Sequence, residues 1–94
     1  MLIVSPLARN DLLRIYQYGK TQWGAAQAGN YLSALGESFW VLRNQPSIGA
    51  DREDVLPGIR SFPVASHTIF YKLKGEDVEI VRVLHRRQDA ARNL

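Results

Sequence analysis

The chain has 94 residues, enough for one domain with a single core and little surplus, since so short a chain buries only roughly 60–65% of the surface it exposes unfolded. With 46% hydrophobic residues, 22% charged residues and no cysteine, the composition argues against disorder and excludes disulfides and thiolate metal sites. The net charge of +3 and pI near 9.6 favour acidic partners without establishing nucleic-acid binding, and the excess sits at one end: from Arg82 to Leu94 four arginines accompany a single acid, Asp89.

Leu2 to Val4 read as a short first strand. Ser5-Pro6 is a helix start, because the serine oxygen accepts an orphan backbone N–H and proline at the first helical position has none to lose. Leu12, Ile15, Tyr16 and Gly19 keep the spacing of one helical face, and Gly24 is a natural stop. A second helix is expected from Ala25 to Gln45, with Ala28, Leu32, Leu35, Phe39 and Leu42 as its apolar stripe and Pro46 ending it. Gly29 and Gly36 inside it each cost about 1 kcal/mol against alanine, which suggests close approach of a neighbouring element. Ser47 to Asp54 read as a surface loop. Three strands follow: Leu56–Val64, a block beginning His67–Tyr71, and a last one from Val78 to about His85, with Gly75 supplying the positive φ of the turn between the last two. Apolar runs such as Phe39–Leu42 fall far short of the ~18 residues of a membrane span, and no segment reads as a signal peptide, so a cytoplasmic protein is expected.

Strand parity sorts the candidate functional residues, because successive side chains face opposite ways. His67, Ile69, Tyr71 and Leu73 share one face, opposite Thr68, Phe70, Lys72 and Lys74. In the last strand Val78, Ile80, Arg82 and Leu84 oppose Glu79, Val81, Val83 and His85, which sets Arg82 and His85 on different faces and makes them poor partners for catalysis. His67, on an apolar face, reads first as a hydrogen-bonded core residue. His85 reads as a strand-end imidazole among Arg86 and Arg87, available as a base or acceptor. Arg60 is either paired with an acid such as Asp54 or Asp89, or a partner contact. Trp23, Trp40, Tyr16 and Tyr31 fit core or groove packing better than base stacking. Two histidines without nearby carboxylate spacing compose no metal motif, and no cofactor is indicated.

The three closing blocks, LPGIRSFPV, HTIFY and VEIVRVLHRRQD, together with the preceding strand and helix pair, resemble the ParE toxins of the RelE/ParE toxin–antitoxin superfamily. The resemblance covers nearly the whole chain. It implies an α+β fold in one domain over residues 1–94, with an N-terminal strand, a helical hairpin and a C-terminal antiparallel sheet. It also implies a toxin that binds DNA gyrase and traps its cleaved DNA complex, with no catalytic residues, no sequence-specific nucleic-acid binding and neutralisation by a ParD-like antitoxin. On this reading Arg60, Arg82, His85, Arg86, Arg87 and Asp89 contact the target, and Leu13, Tyr16, Tyr31 and Phe70 contact the antitoxin. Arg86 stands where a small residue is common in that family, and Gln88 where a basic one is. The ribonuclease branch of the superfamily typically carries an arginine where this chain has Thr68. The missing cation weakens that activity, so a ribosome-dependent ribonuclease is the competing expectation, and a non-toxic binding module the third.

Overall fold

The computed structural model describes residues Met1–Leu94. In chain order it contains β1 (Leu2–Val4), α1 (Pro6–Trp23), α2 (Ala25–Asn44), β2 (Ala50–Asp51), β3 (Arg60–Val64), β4 (His67–Lys74), β5 (Asp77–His85) and a short α3 (Ala90–Asn93). The strands form one sheet in the order β1-β5-β4-β3-β2, with β1 parallel to β5 and the other pairings antiparallel. The expected α+β class, first strand, helical hairpin and later sheet are present. The first strand joins that sheet and makes it mixed.

Ser5 does two jobs at the start of α1. Its Oγ accepts the Ala8 N–H at 3.0 Å and donates to the Val81 carbonyl at 2.7 Å, so the helix cap is also a tie to β5. Gly24, at φ 90°, ends α1 as its N–H donates to the Lys20 carbonyl at 3.0 Å. The stripe of α2 then lays Leu35, Phe39 and Leu42 onto Ile69, Tyr71, Val78, Ile80 and Val83 of the sheet, with Ala8 from α1 in the same cluster. Each fully buried side chain of this size stabilises by roughly 1.5–3 kcal/mol.

The glycines of the hairpin differ from expectation. Close approach occurs at Gly19, where an added Cβ would lie 3.2 Å from the Ala28 Cβ, and not at Gly29 or Gly36, where it would meet nothing within 4 Å. The helix contact runs through Ala28 instead, so both inner glycines of α2 cost backbone entropy without a packing return. Gly36→Ala is expected to raise stability by up to about 1 kcal/mol, read as a higher urea midpoint with unchanged slope; a lower midpoint would show that the helix needs pliability there.

β5 carries a bulge that single-period parity did not foresee. Phe70 pairs with Arg82 and Tyr71 with Ile80, which leaves Val81 as the extra residue. Val78 and Ile80 therefore share the helix-facing cluster with Val83, while Leu84 joins Ile59 and Phe70 in a second cluster on the other side. Val55, Ala90 and Leu94 cover that second cluster, so the loop before β3 and the C-terminal α3 roof the sheet's far face.

Two further expectations change. Leu56–Ile59 form turns, with Gly58 at φ 77°, and β3 begins only at Arg60; the loop before it contributes the edge strand β2. Arg60 pairs with no acid. Its guanidinium donates to the Ser47 carbonyl at 3.1 Å and to the Gly49 carbonyl at 2.7 Å, clamping the α2–β2 connection. From within, the Tyr71 hydroxyl donates to the Pro46 carbonyl at 2.7 Å and accepts the Gly49 N–H at 2.9 Å. A Cβ at Gly49 would overlap that hydroxyl, which is why glycine stands there.

Candidate functional site

The end of β5 and the turn after it bring the cationic residues together, and their foundation is a buried ion pair. Asp11, 7% exposed on α1, receives Arg82 Nε and Nη2 at 2.8 Å each and the Val83 N–H at 2.9 Å. Arg82 Nη1 donates onward to the Asn93 carbonyl at 2.6 Å. The Asp11 carboxylate holds the Arg82 guanidinium above its ordinary pKa, chiefly by these hydrogen bonds, against the opposing pull of burial. Arg82 thus ties α1, β5 and the C-terminal segment, and its donors are engaged inside the protein. Asp11 escaped the sequence reading. Its signal was there, as the sole acid of α1, three residues after Ala8 and four before Ile15 on the inward stripe.

Beyond Arg82 the chain makes a fixed turn. The His85 N–H donates to Gln88 Oε1 at 2.8 Å, the Arg87 N–H to His85 Nδ1 at 3.2 Å, and the Arg86 N–H to the Ser66 carbonyl at 2.9 Å. Asp89 caps α3 by accepting the Ala91 N–H at 3.0 Å and stands 3.7 Å from Arg92. The side chains of Arg86 and Arg87 are exposed and form no ion pair, so this turn presents fixed backbone and free positive charge.

Beside the turn lies a cleft of about 380 Å³ lined by Arg14, Ile15, Tyr18, Trp23, Tyr31, Ser66, His67 and His85. His67 and His85 pair directly across β4 and β5, their rings 5.3 Å apart edge to face. The Tyr31 hydroxyl accepts the Ser66 N–H at 3.2 Å and is hydrogen-bonded to His67 Nδ1 at 2.6 Å. The expected hydrogen bond of His67 is present, although the ring is half-buried at the cleft and not sealed in the core.

Burial lowers the His67 pKa, with the neighbouring His85 adding to the effect and Asp11 opposing it. A depressed histidine pKa means that the unfolded chain binds more protons, so this residue's contribution is full above the ordinary value near 6.5 and is lost as pH falls through that value toward the folded one. Urea midpoints compared at neutral and mildly acid pH should fall for the native chain, and fall less for His67→Gln. An equal fall in both would place the acid sensitivity elsewhere.

The remaining predicted residues separate. Leu13 and Tyr16 lie on α1 outside the cleft that Tyr31 lines, with Leu13 exposed and Tyr16 half-buried. Phe70, expected beside them on a partner surface, is 3% exposed on the opposite face of the sheet, because α3 and the Val55 loop cover it. Trp40 faces solvent with Arg43 stacked over its ring at 5.8 Å. No cluster of three or more metal-ligating side chains occurs, and no helix is long and apolar enough to cross a membrane.

Residues 2–90 match the family model described as ParE toxin of type II toxin–antitoxin system, parDE. The chain is 38% identical to Toxin ParE1 of Mycobacterium tuberculosis over 93 residues, which covers 98% of this chain and 95% of that one. It is 34% identical to Toxin ParE1 of Caulobacter vibrioides over 91 residues, covering 97% and 94% respectively. A solved structure titled Chromosomal ParDE TA system from P. aeruginosa shares the fold with a TM-score of 0.80 at 23% identity, over 89% of this chain and 92% of that one.

Proposed function

The chain belongs to the ParE toxin family of type II toxin–antitoxin systems, and from that premise we propose that it inhibits DNA gyrase by binding it and trapping the cleaved DNA complex, without a reaction of its own. The observation that carries this reading is the turn at Arg86 and Arg87, whose backbone is fixed on both sides while its two guanidinium groups have no carboxylate partner. A fixed backbone turn carrying unpaired cationic groups suits docking onto an acidic or DNA-bearing surface, since the cost of ordering its backbone is already met by folding.

In this reading His85, Arg86 and Arg87 touch the target. Arg82 and Asp89 hold that surface from behind, because their polar atoms are spent on Asp11 and on the backbone of the C-terminal segment, while Arg60 clamps the α2–β2 connection away from it. A ParD-like antitoxin covers α1 and α2 around Leu13, Tyr16 and Tyr31, laying apolar anchors on exposed helical surface. The whole chain acts as one cytoplasmic domain. Thr68 supplies no cation beside the two imidazoles, so a developing phosphorane charge would lack one electrostatic stabiliser generally worth a few kcal/mol.

The test is a supercoiling reaction with purified gyrase and relaxed plasmid. Toxin should block supercoiling and accumulate cleaved plasmid, and the antitoxin encoded with it should reverse both. Message cleavage in a translation reaction, with gyrase untouched, would contradict the proposal.

A further inference from the structure

The cleft beside the cationic turn has the chemistry of a ligand site that neither the fold nor the ion pair requires. Its volume of about 380 Å³ falls within the roughly 300–1,000 Å³ of small-ligand pockets. Trp23 and Tyr18 flank it edge to face with centroids 6.2 Å apart, yet they stay 53% and 63% exposed, so folding leaves ring surface unused there.

The polar lining is rich in hydrogen-bond donors. Arg14 is exposed and forms no ion pair. His85 has Nδ1 occupied as the acceptor of the Arg87 N–H, which leaves Nε2–H as that ring's donor, while His67 Nδ1 is engaged with the Tyr31 hydroxyl. Ser66, Tyr18 and Tyr31 add hydroxyls, which can donate as well as accept. At the rim, Arg86 is anchored to the Ser66 carbonyl and Arg87 to His85. A phosphate brings only acceptors, which suits the cationic rim and Arg14, a base edge brings both donors and acceptors, which suits the hydroxyls and the imidazole, and a flat ring suits the indole and phenol faces.

We infer that this cleft binds one unpaired nucleotide of a single strand, with its base against Trp23 and Tyr18, acceptor atoms of the base on the His85 Nε2–H and the Ser66 hydroxyl, and its phosphates on Arg14, Arg86 and Arg87. Sequence preference is weak, because stacking accepts any base. This deepens the proposed function and rests on it for the biological source of the strand, a DNA segment opened on the enzyme.

The test is direct binding by the full chain, on a Trp40→Phe background so that Trp23 alone reports. A labelled short oligothymidylate should raise its anisotropy and quench Trp23 fluorescence, while a duplex of equal length should not quench. Trp23→Ala should weaken binding about tenfold, and Arg14→Gln should weaken it several-fold while reducing the salt dependence. Both residues are exposed, so these variants retain the fold, which circular dichroism checks. Absence of binding overturns the inference. So does binding that Trp23→Ala leaves unchanged, which would assign it to the basic turn alone, and so does quenching by an acidic peptide where oligothymidylate gives none. The same variants in the supercoiling reaction separate the two ideas. Gyrase inhibition without nucleotide binding defeats the cleft and spares the proposed function, and nucleotide binding without gyrase inhibition does the reverse.

Discussion

Asp11→Ala is expected to cost about 3–5 kcal/mol, because it leaves the Arg82 guanidinium and the Val83 N–H buried without their acceptor. At about 4–8 °C per kcal/mol for a domain of this size, the melting temperature should fall by at least ~12 °C. Since small domains hold only about 5–15 kcal/mol in total, much of the stability rests on this carboxylate. Arg82→Met alone should also be costly, as it strands the acid and frees the Asn93 carbonyl. The double change Asp11→Leu with Arg82→Met should recover most of the loss, because an apolar pair of similar volume removes both charges together. If the single changes lowered the melting temperature by only a few degrees and simply added in the double variant, the pair would be a solvated contact and not the anchor described.

Arg86→Glu with Arg87→Glu is expected to leave stability nearly unchanged and to reduce target inhibition by at least about tenfold. Both side chains are exposed and without ion-pair partners, so reversing them breaks nothing internal. Reversal also places like charge against an acidic target, which slows encounter and opposes docking. The readout is the toxin concentration needed for half inhibition of supercoiling, with thermal melting as the control for folding. Full potency in the reversed variant would remove the turn from the contact surface. Restoration by Arg87→Lys but not by Arg87→Gln would identify charge, and not hydrogen-bond geometry, as what the target reads.

The elements that were legible in the sequence are those fixed by local chemistry. Ser5-Pro6 caps α1 as its residue types require, Gly24 and Gly75 take positive φ where a stop and a tight turn need them, and the stripe of α2 packs Leu35, Phe39 and Leu42 on the sheet. What escaped depends on single insertions and distant pairings. The bulge at Val81 exchanges the faces of everything after it, so parity put Val83 with Glu79 when it belongs with Val78 and Ile80. Asp11 meets Arg82 across 71 positions, a separation no local pattern reports. The four-residue α3 has no periodicity to detect, yet it roofs Phe70 and turns that residue from a surface candidate into core. The cleft was half visible: Tyr31 and His85 were singled out, but their meeting with His67 depends on the cross-strand register.

The most direct measurement is plasmid supercoiling by purified gyrase in the presence of the purified chain, scored for both residual supercoiling and accumulated double-strand breaks. Both signals should respond at stoichiometric toxin, vanish with antitoxin and weaken together when Arg86 and Arg87 are reversed. Undiminished supercoiling with no accumulated breaks, at toxin excess and with the chain shown to be folded, would contradict it.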